Sequence, residues 1–279
     1  MKKYTFIMLL FLVCTVASAQ QKKEKIKGSK ILMIEKKEIG DFETIEISDN
    51  LEAFLEKGEK SGLKIEADEN LHDIIKIDLT DKTLSINTSK TATYYKKLTV
   101  RITYTNALKN ITSRNESIIN AIEEIQLNDV SIKSLDDSKL FLNVNAKNFT
   151  LQSDNDSKVE LNLKSEKASI GLSKNANLKA LITATDLKFD MYQKAIANIE
   201  GDATIANIRL DNNAKFTGNN LVIANAQLLA ESYSNCSINV TTNVNIDATG
   251  NADVKLYGNP KIEIKRFAEN AILSKKQKE

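Results

Sequence analysis

Three consecutive stretches decide the fold: Ile132–Leu142 (IKSLDDSKLFL), Leu151–Leu161 (LQSDNDSKVEL) and Ile170–Ala180 (IGLSKNANLKA). Each opens on an apolar residue, crosses a polar turn, places Ser or Ala six positions on, and resumes with apolar or small residues at plus eight and plus ten. The same frame begins upstream at Ile111 and continues from Phe189, Ile208, Leu228 and Ile246, with spacings of 21, 19, 19, 19, 19, 20 and 18 residues. The plus-six column reads Ser117, Ser138, Ser157, Ala176, Ala195, Ala214, Ser234, Ala252. A fixed period of this kind sets the architecture before any motif is considered.

A unit of about 19 residues made of short alternating strands and turns has no room for a helical crossover. It can make one coil of a solenoid, its strands pairing in parallel with the coils on either side at roughly 4.8 Å. Equivalent residues then stack: apolar on apolar inside, small on small where the wall bends, Asn and Asp in outward ladders at the turns. The reading is an all-β protein, a parallel β-helix or solenoid with coils of about 19 residues. The period does not fix its hand, and a right-handed coil is the expectation. A leucine-rich repeat needs a longer consensus, a left-handed hexapeptide helix a sustained period of six, and a propeller blade about 40 residues.

Outside the repeat, strict alternation continues. Phe42, Ile45 and Ile47 precede the turn Asp49-Asn50; Leu51, Ala53 and Leu55 follow; and Leu98, Val100, Ile102 and Tyr104 alternate with Thr99, Arg101 and Thr103. Period two with turn residues between the runs reads as strands. Leu71–Ile77 (LHDIIKI) fits either a short helical turn or another strand, and His72 is read there as a partly exposed structural side chain. Residues 40–110 therefore form a β-rich part packed at the start of the solenoid, which runs on without a break over 111–274. Residues 275–279 are a tail.

The chain begins MKKYTFIMLLFLVCTVASA. Lys2 and Lys3, the apolar run Phe6–Val16 and the small-residue site Ala17-Ser18-Ala19 read as an export signal over residues 1–19, too short to span a bilayer as an anchor and removed before Gln20. Cys14 raises lipidation as the alternative, against which stands Val13, where a small residue is needed. Residues 20–39 are Lys-rich and read as a solvated tether. The localisation expected is export: periplasm, outer surface or secretion.

Composition narrows the chemistry. The chain has 279 residues, with 39 basic against 37 acidic side chains. Removing the two signal lysines leaves 37 against 37, a neutral chain unsuited to nucleic acid or anionic membrane as a bulk partner. The single His72 argues against His triads and most zinc sites. Only Cys236 survives signal removal, which rules out an intrachain disulfide, and its place in an apolar column makes it a core thiol. The 29 Asn suit turns and stacked amides.

We read no catalytic, cofactor-binding or metal-ligating set. Asp137 and Asp156, one coil apart with Asp136 and Asp154 nearby, are the best candidate for a carboxylate pair that could share a calcium ion. The favoured reading is a solvated turn, because the column continues as Asn175, Lys194 and Asn213. Tyr94, Tyr95, Tyr192 and Tyr233 could stack on sugars, although scattered exposed aromatics are the simpler account.

The chain resembles the family named putative auto-transporter adhesins with a head GIN domain. Gly40–Ile47 (GDFETIEI), Ala67–Leu71 (ADENL), Thr83–Ile86 (TLSI) and above all Ala252–Pro260 (ADVKLYGNP) carry the resemblance, which spans Gly40 to Ser274. The turns here, Asp-Asp-Ser, Asn-Asp-Ser and Lys-Asn-Ala, depart from the family's Ser-Gly repeats, with Thr249-Gly250-Asn251-Ala252 the nearest match. The resemblance implies an exported envelope protein with no catalytic residues to carry over, binding an unidentified glycan or protein surface without turnover. Two alternatives stay open: a carbohydrate-active β-helix enzyme, lyase or hydrolase, and a structural envelope protein that assembles by its edges.

Overall fold

In the computed structural model, which describes residues 23–277, almost every stretch of alternating sequence is a strand, and the strands stack as coils. The regular part runs through β10 (Asn110–Ser113), β11 (Ile118–Ser134), β12 (Lys139–Ser153), β13 (Lys158–Leu172), β14 (Asn177–Met191), β15 (Ile196–Leu210), β16 (Lys215–Ala230) and β17 (Asn235–Ala248). It closes with β18 (Asp253–Tyr257), β19 (Lys261–Phe267) and β20 (Ile272–Lys275). Each strand pairs in parallel with the next coil in the register that the repeat predicts: Leu140 lies beside Val159, and Val159 beside Leu178. The all-β solenoid of about 19-residue coils is the observed fold.

One coil shows how the sequence makes this shape. In β12, Leu140, Leu142, Val144 and Ala146 point inward, then Lys147 and Asn148 both face out, and Phe149, Leu151 and Ser153 point inward again. Two successive outward residues break the period-two phase, so the wall bends there and the inter-coil ladder skips Lys147. Each coil thus has a long wall, typified by 139–146, and a short wall, typified by 148–153. A four-residue turn joins each short wall to the next long wall. Each large inward side chain is worth about 1.5–3 kcal/mol in apolar surface removed from water. Stability is thereby distributed coil by coil.

The small column sits where the repeat placed it. All eight members, Ser117 through Ala252, are fully buried on the inner side of this turn. The turn itself comes in two forms. In the first coils both central residues take left-handed backbone, Asn115-Glu116, Asp136-Asp137 and Asn155-Asp156, the arrangement of a type I′ turn. There the small residue is Ser and bonds to a Ser four positions before it: Ser113–Ser117 at 2.7 Å, Ser134–Ser138 at 2.9 Å, Ser153–Ser157 at 2.7 Å. From the next turn onward only the first central residue is left-handed (Lys174, Gln193, Asn212, Ser232, Gly250). The inner pairs are then Leu172/Ala176, Met191/Ala195, Leu210/Ala214, Ala230/Ser234 and Ala248/Ala252. Ser234 keeps the hydroxyl without the partner, and its Oγ is the buried side-chain oxygen left without a hydrogen bond among the described residues. At Gly250 (φ 73°), a Cβ would lie 2.8 Å from the backbone of Ser232, so the left-handed backbone and the close coil above both call for glycine.

The start of the stack departs from sequence order. Here lie β3 (Thr44–Ile47), β4 (Glu52–Lys57), β5 (Gly62–Asp68), β6 (Ile75–Thr80), β7 (Thr83–Thr88), β8 (Thr91–Thr93) and β9 (Leu98–Tyr104). The rung β3/β4 is sandwiched between β10/β11 on one side and β7/β9 on the other. One inner column accordingly reads Leu84, Ile45, Ile111, Ile132, Leu151 and on to Ile246 and Ile264. The solenoid therefore begins before residue 111, with rungs laid down by residues 44–104. Beyond them, β6 and β5 pair antiparallel with β7 and β9. Leu71–Ile77 resolves into both alternatives: a 3-10 turn over Glu69–Ile74, then strand β6. Leu71 and Ile74 are buried against the core and plug its end.

Of the solvated tether expected over residues 20–39, the described part from residue 23 onward is instead strand-forming. Among the described residues there, β1 (Lys25–Lys27) pairs with β8, and β2 (Leu32–Lys37) adds antiparallel to β5. Charge runs conceal these strands, but Asp68 explains their attachment. Its buried carboxylate accepts the backbone N–H of Lys30 (2.8 Å), Lys96 (3.1 Å) and Lys97 (3.0 Å), tying the segment to the start of β9. Burial alone would raise the Asp68 pKa, and those three amides outweigh it and hold it below the usual value. The export signal over residues 1–19, with Cys14, lies outside the described residues.

Candidate functional site

Outward residues of the long wall make two adjacent columns. One reads Phe141, Glu160, Lys179, Asn198, and the other Asn143, Asn162, Leu181, Glu200. Between and around them runs a groove of about 570 Å³ that crosses four coils. The phase of the strands explains its character. With Leu140 and Leu142 fixed inward, Phe141 must face out, and with Ala180 and Ile182 inward, so must Leu181. Both are substantially exposed. The groove thus offers two apolar contact points about two coils apart, a Glu160–Lys179 register pair between them, and amides at Asn143, Asn162 and Asn198. These amides can donate and accept toward hydroxyl or peptide groups.

The short wall carries a second, shallower groove of about 310 Å³. Its floor is the column Lys188, Asn207, Gln227, Asn245 beside Asp190, Arg209 and Asp247. Charges there are largely spent on one another: Lys188 bonds Asp190 at 2.8 Å, and the Arg209 guanidinium lies 5.5 Å from the centre of the Tyr192 ring. The bond to Asp190 raises the Lys188 pKa.

The turn acids stand where the repeat placed them. Asp137 and Asp156 are equivalent left-handed turn residues one coil apart. Their neighbours are engaged: Asn155 donates its side-chain amide to Asp136 at 2.9 Å, and Lys174 bonds Asp154 at 3.1 Å. Amide ladders of the expected kind recur down the outer surface, with Asn148 donating to Asp129, Asn243 to Asn225 and Asn270 to Asn251 at 2.7–3.1 Å. Among the described residues no three His, Cys, Asp or Glu side chains gather in a metal-binding group. Cys236 lies in the inner column between Phe216 and Val254, and burial drives its thiol pKa far up, leaving it unreactive. His72 is nearly buried, with Nδ1 3.3 Å from Glu35 and Nε2 3.2 Å from the Met33 carbonyl.

The structure does not bring the four tyrosines into one surface. Tyr94 and Tyr95 lie in the connection leading into β9 at the start of the stack, whereas Tyr192 and Tyr233 sit on turns two coils apart near its middle and far end. Phe141 and Leu181, the apolar points of the long groove, escaped notice in the sequence. Their signal was present as a triplet of consecutive apolar residues whose centre falls on the outward phase.

No helix among the described residues is long and apolar enough to cross a membrane. Among solved structures, a putative adhesin from Parabacteroides merdae superposes with a TM-score of 0.64 at 19% identity, covering 90% of this chain and 99% of that one. A putative adhesin from Parabacteroides distasonis gives 0.63 at 16%, covering 90% and 100%. A protein of the same species described as a putative lipid binding protein gives 0.63 at 15%, covering 90% and 99%. At these identities the likeness shows the fold. None of the curated proteins matches the chain. The model of the family described as "Putative auto-transporter adhesin, head GIN domain" matches residues 41–162 and again 150–260, and the chain belongs to that family.

Proposed function

We propose that this is an exported, non-catalytic, adhesin-like protein of the cell envelope that attaches to a glycan or protein surface through the long wall. One observation carries the reading: a groove in which Phe141 and Leu181 stand exposed on a rigid wall between stacked amides. Apolar faces flanked by amides suit sugar rings and extended peptides alike. A repetitive wall also multiplies weak contacts along its length. The adhesin family and the N-terminal signal pattern support export to a surface.

The test is a glycan array and a binding assay on intact cells, with Phe141→Ala and Leu181→Ala as variants. Both positions are exposed, so stability should hold while binding falls together in both. Binding unchanged in both variants would remove the long wall from the account. Release of oligosaccharide from a bound polysaccharide would replace attachment with catalysis.

A further inference from the structure

The two ends of the stack carry exposed apolar side chains that the walls, for the most part, do not. At the start, Ile31, Leu32, Met33 and Ile34 on and beside β2 are 38–61% exposed. At the finish, Ile262, Ile264, Phe267 and Ile272 on β19 and β20 are 42–56% exposed. The last coil repeats the inner columns with nothing stacked on it: Ile264 continues the column of Ile246, and Leu273 that of Val254. Both ends also present free strand edges. Among the described residues, β19 pairs only with β17, β20 only with β18, and β2 only with β5.

The strand directions match for a second copy. β2 runs antiparallel to β5, which runs antiparallel to β9, so β2 points the same way as the coil strands. A second copy's β2 can therefore add in parallel to β20, while its β6, which is reversed, adds antiparallel to β19. Charge complements this arrangement. The strands and turn at the start hold Glu35, Glu69, Asp73 and Asp78 against three lysines, and the finish holds Lys261, Lys265, Arg266, Lys275 and Lys276 against Glu263 and Glu269. Two finish ends would set basic against basic.

From this geometry we infer that the protein assembles head to tail, the β19/β20 end of one copy extending the sheet of the next through its β2/β6 end. Such a contact is heterologous and does not close, so it builds filaments. It is independent of what the long wall binds.

Sedimentation velocity over a concentration series, with electron microscopy of the most concentrated samples, reads the assembly directly. The mean mass should rise with concentration past that of a dimer, and filaments should appear. Ile264→Glu and Ile34→Glu each substitute an exposed residue at one end, and circular dichroism checks that both variants stay folded. Each alone should be monomeric, because every contact needs one intact end of each kind. An equal mixture of the two should give a dimer and nothing longer, because one variant keeps its start and the other its finish. A wild-type protein that remains monomeric to its solubility limit overturns the inference. So does a variant that alone still forms a discrete dimer, which would mean that like ends pair.

Discussion

The two ends of the stack solve the same problem differently. A solenoid's core is a column of apolar residues, and at each end the last layer faces water. At the start, residues 62–80 leave the coil path, reverse direction and lay two antiparallel strands and a 3-10 turn across the end, so that Leu71 and Ile74 fill it. At the finish the described residues keep to the coil path, and the equivalent inner residues Ile262 and Ile264 are about half exposed. The lesson is that the repeat dictates the wall but not its closure. A cap needs sequence that departs from the period, and among the described residues such sequence lies at the start.

The comparison is sharpened most by equal truncations at the two ends. Leu71→Ala should cost about 2–5 kcal/mol, since it empties a filled plug. Ile264→Ala should cost under about 0.5 kcal/mol in the monomer, since the side chain is already half exposed. Chemical denaturation of both variants measures the difference, and equal losses would show that the far end is closed after all.

Acid should loosen the start before the finish. The nearly buried Glu66 bonds Lys64 and Lys97 at 2.6 Å each and Arg101 at 3.2 Å. The hydrogen bonds from Lys64 and Lys97 lower its pKa to about 2, against an ordinary value of 4.5. A carboxyl with a depressed folded-state pKa stabilises the fold above its unfolded value and loses that contribution as pH falls. Stability on the order of 1–3 kcal/mol should therefore disappear between about pH 4.5 and pH 2. Glu66→Gln should flatten that part of the melting-temperature profile. Hydrogen exchange should place the acid-labile amides in β5 and β9 and not in β17.

The smallest effect contrasts the two turn forms. Ser138→Ala strips Ser134 of its partner and should cost about 1–3 kcal/mol, whereas the double change Ser134→Ala with Ser138→Ala should recover most of that loss. Ser234→Ala removes a hydroxyl that already lacks a partner, and should be neutral or stabilising by up to about 1 kcal/mol. A Ser234→Ala loss as large as that of Ser138→Ala would mean that the buried hydroxyls act through something other than their pairing.

The repeat made most of the wall legible, because stacking forces equivalent residues into equivalent surroundings: the small column and the place of Cys236 both followed from spacing. The start was less legible. Nothing in the local pattern says that β3/β4 lies between β10/β11 and β7/β9, since that order is set by long-range pairing and not by periodicity. Nor did the lysines of residues 20–37 advertise strands, because an edge strand such as β2 needs little apolar burial when Asp68 anchors the segment by backbone amides. Among candidate residues, the turn acids were singled out by their chemistry. Phe141 and Leu181 were overlooked, because an apolar residue in a strand is taken as inward until the phase is fixed by its neighbours.

Pulsed electron paramagnetic resonance between nitroxides along one outward column gauges the stacking itself. With Lys255 as the common site and Cys236→Ala as background, labels at Lys179, Glu160 and Phe141 lie four, five and six coils away. At about 4.8 Å per coil the backbone separations should be about 19, 24 and 29 Å, one equal step for every 19 residues of sequence. Distances that fail to climb by equal steps, or that shorten from one label to the next, would contradict the solenoid.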